Sequence, residues 1–219
     1  MSMENRLQPE AHSALPWRLN EIASDFELID SSALPAFGRR DQFPLLLSTM
    51  AASLTPVTKE ESPASAALFD IRRRLGNRFG WDDPSTSGTL PIPGCSETSL
   101  RQRLPAEFIA ASDEVFGSKA NWRPVFVLDD EAAVEFSNSL LHAVVHLGWV
   151  AQSGGQYRGQ MGVYVKHRGA GSRLYMKAIA PFRHLIVYPA FLKRIGKSWN
   201  TNVTNQTNRV ATNHSEATS

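Results

Sequence analysis

Hydrophobic and polar positions follow three regimes along the chain. Asp25 to Ser31 alternates polar and apolar residues, the period of a half-buried strand. Phe43 to Ser53 is a compact apolar run that predicts a helix. Its Pro44 falls in the first turn, where a missing N–H is harmless. Ser62-Pro63 opens a second predicted helix, Ala64 to Arg78, in which Ala67, Leu68, Ile71 and Leu75 keep helical spacing. Residues 82–99 are rich in Pro, Gly, Ser and Thr and read as a loop.

From Pro124 the pattern turns to β. Strands are expected at Val125–Asp129, Ala132–Asn138, Leu141–Ala151 and Tyr157–Lys166. Asp129-Asp130, Asn138-Ser139 and Ser153-Gly154-Gly155 supply the turns, and such short connections make an antiparallel meander. Arg173 to Trp199 is then a long helical segment, with a kink or a break expected at Pro181 and at Pro189. Residues 200–219 carry few apolar groups and predict a disordered polar tail. Residues 1–16 read as a flexible lead-in, which leaves one domain over 17–199.

The order is strand, two short helices, antiparallel strands and a long C-terminal helix. An antiparallel sheet has an apolar face that needs a cover, and the terminal helix can supply it. The predicted fold is therefore α+β and helix-grip-like, with the sheet wrapped around the C-terminal helix. If sheet and helix do not press tightly together, a mostly apolar cavity lies between them.

Tyr157-Arg158-Gly159-Gln160-Met161 and the run from Lys177 to Pro189 (KAIAPFRHLIVYP) resemble the C-terminal half of a bacterial family of domains of unknown function. The segment LFDIRRRLGNRFGW, near residues 68–81, resembles that family's first half. Members of the family stand alone or follow atypical short-chain-dehydrogenase-like proteins. The family is in turn similar to the START/polyketide-cyclase helix-grip superfamily. The resemblance implies a cavity for a hydrophobic small molecule, such as a lipid or polyketide-like metabolite. It carries over no catalytic residues.

Candidate chemistry is sparse. On strand 141–151, Leu141, Ala143, Val145, Leu147 and Trp149 share one face. His142, Val144, His146, Gly148 and Val150 share the other. Which face meets the cavity is open. His142 and His146 are candidates for a shared ligand, or else stand on an outer, semi-polar face of the sheet. Glu135, across a possible hairpin, forms with them either an acid–base pair of the kind a cyclase or dehydratase needs or a plain cross-strand pair. With no third ligand in view, no metal site is expected. No cofactor fingerprint, phosphate loop or nucleophile elbow occurs. The expected cavity lining is Trp149 and Tyr164 from the strands with Tyr175, Ile179, Phe182 and Ile186 from the helix.

Charge adds one asymmetry. The net charge is +2, yet residues 136–215 contain ten Lys or Arg and no Asp or Glu. Such a basic half either folds against the acidic half or faces an anionic surface, so weak contact with anionic membranes enters as a possible partner. The dispersed basic residues and the lack of a recognised module argue against nucleic acid. Cys95 is the single cysteine, which excludes an intrachain disulfide. The first 25 residues lack the apolar core of a signal peptide, so a cytoplasmic location is expected.

Overall fold

A computed structural model describes residues 7–53, 63, 70, 90–108 and 122–216, with side chains to residue 208. The predicted helix 64–78 lies almost wholly outside the described residues. The elements in order are α1 (Pro9–Ser13), α2 (Arg18–Ile22), β1 (Glu27–Gly38) and α3 (Phe43–Ser53). After the interval come a short 3-10 turn (Leu100–Arg103), β2 (Arg123–Val127), β3 (Glu131–Ser137), β4 (Leu141–Ala151) and β5 (Tyr157–His167). The chain ends on α4 (Ala170–Phe182), a π-turn (Arg183–Val187) and α5 (Tyr188–Glu216).

The architecture is α+β and helix-grip-like. A five-stranded antiparallel sheet, ordered β1-β5-β4-β3-β2, is crossed by the C-terminal helix. β4 and β5 pair without a break from Leu141↔His167 to Ala151↔Tyr157. The two outer strands each carry a proline, Pro35 in β1 and Pro124 in β2, where a missing N–H leaves no central ladder bond unmade. β1 outruns the predicted strand: it continues to Gly38, with a register shift between Ala33 and Phe37 that absorbs Pro35.

Both faces of the sheet are covered. On one, Leu147, Trp149 and Met161 meet Leu34, Phe43, Leu46, Leu47 and Met50, along with Tyr188, Leu192, Ile195 and Trp199 of α5. The spacing 188, 192, 195, 199 is one stripe of a helix. Burying a large side chain of this kind contributes about 1.5–3 kcal/mol. On the other face, Val144 and Tyr164 pack with Trp17, Leu19, Ile22, Phe26, Ile92 and Leu100. That cover is made of the N-terminal segment and the loop after residue 90.

Three features differ from the pattern read along the chain. Within residues 1–16, α1 (Pro9–Ser13) lies against the sheet and His12 is fully buried. Past residue 200, α5 continues to Glu216. Val203 packs on the core, Asn202 Nδ2 donates to Thr49 Oγ1 at 2.9 Å, and Gln42 Nε2 donates to Gln206 Oε1 at 3.2 Å. The composition of 200–208 is polar, but one helical side still meets α3. Lastly, the C-terminal helix breaks between the two prolines rather than at each of them. The Tyr188 N–H bonds to the Arg183 carbonyl, the i→i+5 closure of a π-turn.

Candidate functional site

Two buried polar clusters stand out, on opposite sides of the sheet. The first is built by the β3–β4 hairpin. Glu131 and Glu135 are four residues apart on β3, and His142 and His146 four apart on β4, so each pair shares a strand face. In the observed register Glu135 sits across from Val144 and Glu131 across from Gly148. Each glutamate therefore reaches a histidine diagonally. Glu135 Oε2 lies 3.0 Å from His142 Nε2, and Glu131 Oε2 lies 2.9 Å from His146 Nε2.

Each carboxylate also fastens a covering segment. The Arg18 backbone N–H donates to Glu131 Oε1 at 2.6 Å. The Leu100 N–H donates to Glu135 Oε2 at 3.0 Å, and the Ser99 hydroxyl donates to Glu135 Oε1. The glutamates thus satisfy backbone donors of segments too short to bond them internally.

From Glu131 the hydrogen bonds continue as a chain. His146 Nδ1 meets His12 Nε2 at 3.1 Å, and His12 Nδ1 meets Gln160 Oε1 at 2.9 Å. Burial, together with the adjacent His146, pulls the His12 imidazole down to about 4 against the opposing Gln160 bond. Burial lowers His146 as well, against the pull of Glu131. Both rings are therefore neutral near pH 7, each with one donor and one acceptor nitrogen. The Glu131 carboxylate only accepts, so His146 Nε2–H donates to it and His146 Nδ1 accepts from His12 Nε2–H, which leaves His12 Nδ1 to accept from the Gln160 side-chain amide. Tyr164 stands beside this chain with its hydroxyl buried and without a hydrogen-bond partner among the described residues. Burial and the nearby Glu131 push its phenol up to about 12.

Two glycines make room for the cover. A Cβ on Gly148 would lie 2.5 Å from the Trp17 ring, and one on Gly162 would lie 2.6 Å from His12 Nε2. Gly162 is directly opposite His146 on the neighbouring strand. The indole N–H of Trp17 in turn donates to the His12 carbonyl at 2.8 Å.

The second cluster gathers at the π-turn. Asp30 of β1 is buried, and Tyr188 donates its hydroxyl to Asp30 Oδ2 at 2.8 Å. Arg183 Nε lies 2.8 Å from the same oxygen, and His184 Nε2 lies 3.0 Å from Oδ1. Residues five apart do not share a side of an α-helix, but i→i+5 closure brings Arg183 and Tyr188 onto one. The π-turn thus aims three groups at one carboxylate. Burial and the Asp30 charge hold the Tyr188 phenol well above its ordinary value. A small cavity of about 20 Å³ adjoins the cluster, lined by Leu7, Pro9, Ile29, Ser31, Ser32 and His184. It is large enough for a water molecule.

The sequence candidates now have places. Glu135 and His142 pair as a buried cross-strand couple, and His146 belongs to the separate Glu131 pair. His142 and His146 do not converge on one ligand: at about 3.3 Å per residue, four residues put about 13 Å of strand between them. Nor do they stand on an outer, semi-polar face, since both have zero exposure beneath the N-terminal cover. Trp149 and Tyr164 fall on opposite faces of the sheet, so they do not line one cavity. Trp149 is core, with its indole N–H donated to the Arg39 carbonyl at 3.0 Å. Tyr175, Ile179 and Ile186 are half-buried along one side of the segment 170–187. Phe182, expected in the cavity lining, is 51% exposed. Among the described residues, no three His, Cys, Asp or Glu side chains are placed to hold a metal ion. None of the described helices is long and apolar enough to cross a membrane.

Sequence reasoning missed His12, Glu131 and Asp30. Glu131 has a readable signal, since it stands four residues before Glu135 and so on the same strand face. His12 and Asp30 have none, because their partners lie more than 130 residues away.

A family model described as "Protein of unknown function (DUF2867)" matches residues 22–190. The chain belongs to this family. Neither the curated proteins nor the solved structures compared with it gave a match. The DUF2867 match takes in the sheet, α4, the π-turn and the start of α5. It leaves out His12, although His12 closes the histidine chain from outside the matched span.

Proposed function

We propose that the protein binds a hydrophobic small molecule, a lipid or polyketide-like metabolite, along the inner side of α4 beside the Asp30 cluster. The observation that carries this reading is the division of the C-terminal helix. α5 is pressed onto the sheet through Tyr188, Leu192, Ile195 and Trp199. Tyr175, Ile179 and Ile186 are half-buried but belong to neither described core cluster. Apolar groups flanked by a few convergent polar groups are the usual composition of a ligand site. Arg183, His184 and Tyr188 are the polar groups here. This reading keeps Tyr175, Ile179 and Ile186 as lining residues and drops Trp149, Tyr164 and Phe182. It also sets aside the Glu135, His142 and His146 groups as chemistry for the ligand, because they lie on the far face of the sheet. An acid–base enzyme acting in the same place would instead draw on the Asp30–His184 pair.

Native mass spectrometry of protein purified from its own host tests the reading. The expected result is a retained mass in the lipid or metabolite range that is released on denaturation and weakened by Ile179→Ala. Absence of any adduct, together with no thermal shift across a lipid and metabolite panel, would overturn it.

A further inference from the structure

The outer side of α4 carries a different signal. Arg173, Leu174, Lys177, Ala178, Pro181, Phe182 and Leu185 are all exposed and recur at the helical spacing of one side. Leu174 is 71% exposed, Phe182 51% and Leu185 73%. Single exposed apolar residues are ordinary, but three large ones in a row on one helical side mark an interaction surface. Eleven residues separate the first from the last, about 16 Å of helix. The cations sit at the start of the same side. There the surface opens into a groove of about 440 Å³ lined by His167, Arg173, Leu174 and Lys177. No carboxylate occurs anywhere in residues 136–215.

We propose that this side of α4 docks on an anionic lipid bilayer, with Leu174, Phe182 and Leu185 entering the headgroup–acyl boundary and Arg173 and Lys177 meeting lipid phosphates. An interfacial helix of this kind combines an apolar side with basic residues. Charge selects lipid over a second copy of the chain. A parallel two-fold contact through this face would set Arg173 and Lys177 of one copy near those of the other, and an antiparallel one would set them against the apolar end of the second helix, with no acidic residue on the helix to pair them in either case. The proposal does not depend on a ligand inside the protein.

Co-sedimentation with vesicles tests it, using phosphatidylcholine alone and phosphatidylcholine with 30% phosphatidylserine, at about 0.1 M salt. The full chain is expected to pellet with the mixed vesicles and to remain in solution with the neutral ones. Arg173→Ala combined with Lys177→Ala should weaken binding about 30-fold, since each cation near such a surface counts for about a factor of five. The triple variant Leu174→Ser, Phe182→Ser, Leu185→Ser should lose about a hundredfold or more. Because all five side chains are exposed, thermal midpoints of the variants should match wild type, which separates lost docking from lost folding. Failure of wild type to pellet with anionic vesicles would overturn the proposal. So would equal pelleting of the triple variant, or a wild-type dimer in solution that the triple variant abolishes.

Discussion

The two faces of the sheet are closed by different physics. The face under α3 and α5 is closed by helices long enough to satisfy their own backbones, so apolar packing carries most of the contact and its buried carboxylate, Asp30, serves side chains of the cover rather than its backbone. Two buried indoles among the described residues there give their N–H groups to backbone carbonyls, Trp149 to Arg39 and Trp199 to Phe37. The opposite face is closed by two five-residue helices and a loop. Pieces this short have no helical stability of their own. They are held by side chains that reach up from the sheet, Glu131 to Arg18, Glu135 to Ser99 and Leu100, and His146 to His12. Arg103 joins the loop to the N-terminal segment through Asp25 at 2.7 Å and the Ile22 carbonyl at 2.8 Å. Where secondary structure cannot satisfy the cover, the sheet must, at the expense of burying carboxylates.

The largest effect should come from removing one of those carboxylates. Glu135→Ala leaves His142, the Ser99 hydroxyl and the Leu100 N–H buried without their partner, and should cost about 3–5 kcal/mol. On the helix-covered face Ile195→Ala should cost about 2–5 kcal/mol as a cavity. Denaturant unfolding of both measures the costs. The comparison fails if Glu135→Ala is as mild as an exposed substitution.

pH should separate the faces next. His12 and His146 are held neutral by burial, so the unfolded chain binds protons more readily than the folded one. Stability is then full above about pH 6.5 and is lost as pH falls toward 4. The His12 share reaches about 3 kcal/mol. Thermal midpoints measured from pH 7.5 to pH 4 should fall, and His12→Gln should flatten the slope while Ile195→Ala leaves it unchanged.

Smaller effects sharpen the picture. Gly148→Ala puts a methyl into the Trp17 ring and should cost about 1–3 kcal/mol, with a change in Trp17 fluorescence reporting the displaced cover. Phe182→Ser, on the exposed side of α4, should change stability by no more than about 0.5 kcal/mol. A larger loss there would place Phe182 in the core after all.

Period decided most of what was legible in the sequence. Four β-strands appear within two residues of their predicted ends, as does the helix Phe43–Ser53, because alternation and helical spacing are local properties of the chain. The long C-terminal helix was legible for the same reason, and so was the Glu135–His142 couple, since a hairpin brings its two strands together with little choice of register. At residues 9–16 and 200–208 polar composition did not show the packing, because composition averages over a side chain such as His12 that one long-range contact buries.

What the sequence determined alone is therefore the set of elements and their antiparallel, helix-covered order. Only the tertiary structure decided that β4 is buried on both faces, so that its histidines are enclosed while Trp149 meets α5. It also decided that the C-terminal helix divides at the π-turn into a packed half and a half with an exposed apolar side. The reason is that periodicity tells which residues share a face, whereas what covers a face depends on segments more than a hundred residues away.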